Sequence, residues 1–142
     1  MDFRELMADF AAKVGLEDFA PNAEGVCQLI DESTVITIQD CGEIGLILVT
    51  APLAKLPKRA GAGLLRTLLG ANFLYEKTMG ATVALDEENG TLYLTRYDAL
   101  AQLDGERLRT RLERFATVLD LWRREIGCKA SGTKACRRKV CR

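Results

Sequence analysis

At 142 residues the chain suits one domain, and with 48% hydrophobic residues it can bury a real core. It contains no histidine, which removes the usual general base, most catalytic triads and most zinc sites. Lys and Arg total 20, as do Asp and Glu; residues 128–142 hold six cations and no acid, leaving 14 cations against 20 acids in residues 1–127, a net charge of −6.

The N-terminal stretch MDFRELMADF is acidic and helix-forming, unlike the basic-then-apolar pattern of a signal peptide. The chain is therefore expected in the cytosol. Asp2 to Val14 reads as an amphipathic helix, with Phe3, Leu6, Met7, Phe10 and Val14 on one stripe and Gly15 as its stop. A loop with Pro21-Asn22 follows. Three strands are expected next, at Gly25–Glu32, Val35–Gln39 and Ile44–Thr50. The third is almost wholly apolar, as in a strand covered on both faces, and Pro52 is expected to end it. No run of about 18 apolar residues occurs.

After a linker at Ala51–Lys58, the spacing predicts one helix from Gly61 to about Met79. Leu64, Leu68, Ala71, Tyr75 and Met79 fall on one stripe, and Leu65, Leu69 and Phe73 on a second beside it. An apolar arc that wide suits a helix sunk deep in a core, or a helix packed on both its own sheet and a second subunit. A small domain has limited interior, which favours the subunit and a C2 homodimer. Leu65, Leu69 and Phe73 are then the dimer-interface candidates, although the two stripes are interchangeable at this stage.

A hairpin is expected at Thr82–Asp86 and Thr91–Tyr97, with Asn89-Gly90 supplying positive φ angles at its tip. Asp86, Glu88 and Gly90 alternate, but the ligand order of a calcium loop is missing. Asp104 is a plausible N-cap for a last helix carrying Leu108, Leu112, Phe115, Leu119, Trp122 and Ile126 on one stripe, with Gly127 as its stop. The order α-β-β-β-α-β-β-α implies an α+β domain with an antiparallel twisted sheet over 1–127. Residues 128–142 form a basic, Cys-containing tail, expected to be mobile and dispensable for folding.

The chemistry-bearing motifs are absent or incomplete. Gly61-Ala62-Gly63 could open a dinucleotide fingerprint, but Arg66 stands where its third Gly belongs. Cys128, Cys136 and Cys141 lack the close pairing of a structural zinc site, and five cysteines without a signal peptide do not suggest a disulfide framework. The reading is of a non-enzyme without metal or cofactor. A nucleic-acid-binding tail is the rival, but no aromatic residue interleaves its cations and the acidic body opposes phosphate.

Several segments together resemble the class I chaperones of bacterial type III secretion, the Tir-chaperone family. They are the opening helix with Gly15-Leu16; Gly25-Val26-Cys27-Gln28-Leu29-Ile30-Asp31; Leu56-Pro57 leading into Leu64-Leu65, Leu68-Leu69 and Ala71-Asn72; Gly80 to Asp86; Gly90 to Leu94; and the last helix with Phe115 and Trp122. The correspondence spans roughly residues 3–126, and the tail departs from it. The resemblance implies a homodimer in the bacterial cytosol that holds the extended N-terminal region of a secreted effector, a virulence protein, without ATP. A plain adaptor or regulator of the same fold is the alternative. Surplus apolar surface and strand-accepting sheet edges agree with this. Phe3, Met7, Phe10, Ile36 and Ile38 are the candidate lining of effector-binding pockets, or else ordinary core residues.

Overall fold

The computed structural model describes the backbone of residues 1–131 and the side chains of residues 1–127. Its elements are α1 (Phe3–Val14), β1 (Val26–Asp31), β2 (Thr34–Asp40), β3 (Leu46–Lys55), α2 (Ala62–Ala71), β4 (Thr82–Asp86), β5 (Thr91–Ala99) and α3 (Gly105–Ser131), with single 3-10 turns after β2, α2 and β5. The strands form one antiparallel sheet in the order β1-β2-β3-β5-β4. The expected α+β order is therefore present. The chain divides into two compact units, Met1–Ala51 with Thr95–Arg114, and Pro52–Leu94 with Phe115 onward.

In the first unit, Asp2 and Glu5 close a capping box at the start of α1, each side chain accepting from the other's backbone N–H at 2.8 Å. Gly15 ends the helix in the left-handed region (φ 72°), a conformation glycine adopts without Cβ strain. The helix buries Phe3, Leu6, Met7, Phe10 and Ala11, while Val14 stays exposed. The strands alternate by period two: Cys27, Ile36, Ile38, Ile47 and Val49 are buried, while Gln28, Ile30 and Gln39 are exposed.

Two features tie this unit's helices and strands. Asp9 accepts from the Gly105 N–H at 2.7 Å, satisfying one of the free donors at the α3 N-terminus. The helices approach so closely there that a Cβ on Gly105 would sit 2.7 Å from the backbone of Asp9 and Phe10. Asp98, nearly buried, accepts from both Arg96 and Arg111, which fastens β5 to α3. Asp104 caps α3 as expected, accepting from the Arg107 N–H at 2.8 Å.

In the second unit the middle helix is shorter than the periodicity predicts. It ends at Ala71, and the chain then leaves helical geometry: Leu74, Tyr75 and Met79 take positive φ values of 56°, 57° and 50°. The cause is local hydrogen bonding. Asn72 turns its carboxamide to the backbone of Val83, and Thr78 turns its hydroxyl to the carbonyls of Ala81 and Tyr75. Short polar side chains offer the backbone such alternatives to a helix.

Three other boundaries also move. β3 runs on through Pro52 to Lys55. Its pairing with β2 extends only from Ile47 to Thr50, so the missing Pro52 N–H breaks no bond of that ladder. The Pro52 carbonyl accepts from the Arg123 guanidinium instead, at 2.6 Å. The hairpin tip uses positive φ only at Gly90, because Asn89 is held by Asp86, which accepts from its side chain at 2.8 Å. Finally, α3 passes through Gly127 to Ser131, so the stop expected at Gly127 is not there. The expectations for the rest of the tail fall outside the described residues.

Candidate functional site

The sheet has two edges, β1 in the first unit and β4 in the second. Their backbone groups are used differently. β1 pairs with β2 so that Gly25 lies opposite Asp40, and the Asp40 N–H donates to the Gly25 carbonyl at 2.9 Å. That phase fixes the rest of the strand: Cys27, Leu29 and Asp31 turn their N–H and C=O toward β2, and Val26, Gln28 and Ile30 turn theirs outward. Asn22 satisfies Val26, accepting its N–H at 3.0 Å and donating its own N–H to the Val26 carbonyl at 3.0 Å. Among the described residues nothing pairs with the outward backbone groups of Gln28 and Ile30, and the Ile30 side chain beside them is 75% exposed.

The five residues expected to line effector pockets do not reach this surface. Phe3, Met7, Phe10, Ile36 and Ile38 are all buried. Ile36 and Ile38 lie opposite Leu29 and Cys27, on the inward face of the sheet. They occupy the core of the unit and support the edge from within. The outward-facing neighbours Gln28 and Ile30 were not singled out by sequence reasoning. Their signal was the phase of β1, which an alternating but imperfect strand hides until its partner is known.

In the second unit the two stripes of α2 separate. Leu64, Leu68 and Ala71 are buried, whereas Leu65 is 42%, Leu69 74% and Phe73 74% exposed. Tyr75 and Met79, placed by periodicity on the buried stripe, are exposed because the helix has already ended. Leu74 and Leu85 are exposed in the same unit. Large exposed apolar side chains gathered in one unit are the kind of surface that attracts partners when they adjoin.

The two cysteines of the body are free thiols. Burial pushes the Cys27 thiol above its ordinary range, which makes it unreactive at neutral pH. At the hairpin tip, the side-chain hydrogen bond from Asn89 holds the Asp86 carboxyl below its ordinary range, helped by the backbone N–H groups of Asn89 and Glu88 and by Lys55. Among the described residues no helix is long and apolar enough to cross a membrane.

The sequence model of the Tir chaperone protein (CesT) family matches residues 5–123. The chain belongs to this family. Solved structures agree with its fold. A chain of the ExsC–ExsE complex superposes with a TM-score of 0.72 at 26% identity, over 85% of this chain and 90% of that one. A chain of the Yersinia pestis type III secretion chaperone SycH in complex with a stable fragment of YscM2 gives 0.68 at 20% identity, over 83% and 97%. A chain of the ExoT–SpcS complex from Pseudomonas aeruginosa gives 0.62 at 17% identity, over 83% and 94%. No curated protein matches the sequence.

Proposed function

We propose that this protein is a non-enzymatic, ATP-independent chaperone of type III secretion, which keeps an extended N-terminal segment of a secreted effector competent for export in the bacterial cytosol. The observation that carries the reading is the open β1 edge at Gln28 and Ile30 in a chain of the Tir chaperone family. An extended segment can add there as a further strand, with backbone hydrogen bonds giving affinity and alternate side chains giving selectivity. Phe3, Met7, Phe10, Ile36 and Ile38 form the apolar floor behind that edge, and a partner side chain enters among them only if they part.

The working form is a homodimer, built through the exposed stripe of Leu65, Leu69 and Phe73. Such interfaces bury on the order of 1,000–2,000 Å². A dimer would also present two β1 edges to one effector. The solved chaperone–effector complexes, among them the HopA1–SchA complex, support the partner class.

The test is to purify the full chain from its native cell and identify its companions by mass spectrometry. The expected companion is a secreted protein whose protease-protected part lies near its N-terminus. Recovery of RNA, or only of a folded cytosolic enzyme, overturns the reading. Ile30→Pro sharpens it: the Ile30 N–H points outward, so proline should leave the melting temperature within a few degrees yet abolish co-purification.

A further inference from the structure

The edge strand β4 is a strand acceptor by position, but the outward backbone groups at its start are already hydrogen-bonded. The Val83 N–H donates to the Asn72 side-chain oxygen at 2.8 Å, and the Asn72 side-chain nitrogen donates to the Val83 carbonyl at 3.0 Å. In a regular strand the N–H and C=O of one residue point the same way. Val83 therefore turns both toward the outer edge, and both are taken. Two residues earlier, Ala81 has the same phase. Its N–H donates to the Thr78 carbonyl at 3.1 Å, and its carbonyl accepts from the Thr78 hydroxyl. Thr78 is 1% exposed, so this second pairing is sealed from water.

A carboxamide carries one acceptor and one donor side by side, as a peptide unit does. Asn72 thus stands in for the missing neighbouring strand. An aspartate would accept from the Val83 N–H but donate nothing at neutral pH. An alanine would leave both groups unpaired on a strand that also carries the exposed Leu85. Unpaired edges of that kind invite pairing with another chain.

We propose that Asn72, supported by Thr78, closes the β4 edge at Ala81 and Val83 and leaves Leu85 as its single outward residue without a backbone partner among the described residues, against two on β1, so that strand addition is confined to β1 and the second unit meets its partners through side chains. The closure of β4 stands on its own hydrogen bonds. The confinement of an effector to β1 rests on the strand-acceptor reading, whose separate failure would be Ile30→Pro retaining its companion.

The experiment uses the full chain and reads amide hydrogen exchange residue by residue, together with mass in solution across concentration. In the wild type, the Ala81 and Val83 amides should exchange much more slowly than those of Gln28 and Ile30. Asn72→Ala should speed exchange at Val83 by roughly tenfold, the net worth of a hydrogen bond, and give assemblies above the wild-type mass that grow with concentration. Asn72→Asp should keep Val83 protected. Adding Leu85→Lys to Asn72→Ala should restore the wild-type mass, because an edge lysine blocks pairing. Val83 exchanging as fast as Ile30 in the wild type would overturn the proposal, whatever the variants do. So would an Asn72→Ala protein with wild-type mass and wild-type protection at Val83.

Discussion

The two units dispose of their apolar residues in opposite ways. The first buries the stripe of α1 and the inward face of β1 and β2, and leaves backbone groups of Gln28 and Ile30 open. The second takes up the outward backbone groups of Ala81 and Val83 with Thr78 and Asn72, and leaves the side chains of Leu65, Leu69 and Phe73 exposed. One offers hydrogen bonds, which read extended backbone with little regard to sequence. The other offers shaped apolar surface, which suits a constant partner such as a second copy. The difference teaches that one sheet can carry two kinds of contact if each edge is set separately.

The largest effect should come from disturbing the first unit where α3 meets α1. Gly105→Ala places a methyl against the backbone of Asp9 and Phe10, which cannot yield as a side-chain tip can. A loss of about 3 kcal/mol is expected, measured by urea unfolding. If the variant keeps wild-type stability, the close approach of α1 and α3 is not what holds this unit.

In the second unit the two stripes of α2 should separate cleanly on truncation. Leu68→Ala removes a buried side chain and should cost about 2 kcal/mol. Leu69→Ala removes an exposed one and should change the stability of the monomer by less than about 0.5 kcal/mol. Its effect should appear in light scattering, as a shift toward the monomer mass at micromolar concentration. Equal effects of the two substitutions on monomer stability would erase the distinction between the stripes.

The smallest effect separates the units by pH. Burial raises the folded-state pKa of Cys27 above the unfolded value, so the stability it lends is complete below the ordinary thiol range and is lost as pH rises through the folded value. The first unit should therefore lose stability at alkaline pH, seen by urea unfolding across that range. Cys27→Ser should shift that alkaline loss, and an unchanged profile would assign it elsewhere. Asp86 behaves in the opposite sense: its pKa is lowered, so its contribution is present above the carboxylate range and is lost as pH falls through the folded value.

Legibility in the sequence followed the length over which a pattern repeats. α1 and α3 each carry a sustained apolar period and a polar cap, and both were readable, Asp104 included. The end of α2 was not, since the apolar period continues past Asn72 to Met79 while the backbone does not. Nothing in the period distinguishes a helical Asn72 from one whose carboxamide is claimed by Val83, a partner 11 residues away. Pro52 was misread for a related reason. Whether a proline ends a strand depends on the neighbour that would need its N–H, and β2 pairs only as far as Thr50.

The sequence alone determined the number and order of the helices and strands (though not where α2, β3 and α3 end), the acidic body with its basic tail, and that α2 carries more apolar surface than one face can bury. These follow from local propensity and periodicity, which each segment holds within itself. Tertiary structure decided which stripe of α2 is buried, which face of β2 points inward, and which edge of the sheet stays open. Ile36 and Ile38 illustrate the limit: their alternation marked a face of the strand, but only pairing with Leu29 and Cys27 in β1 set that face toward the core. Inside and outside belong to the assembled sheet, since a strand shifted by one residue exchanges them without altering its own sequence.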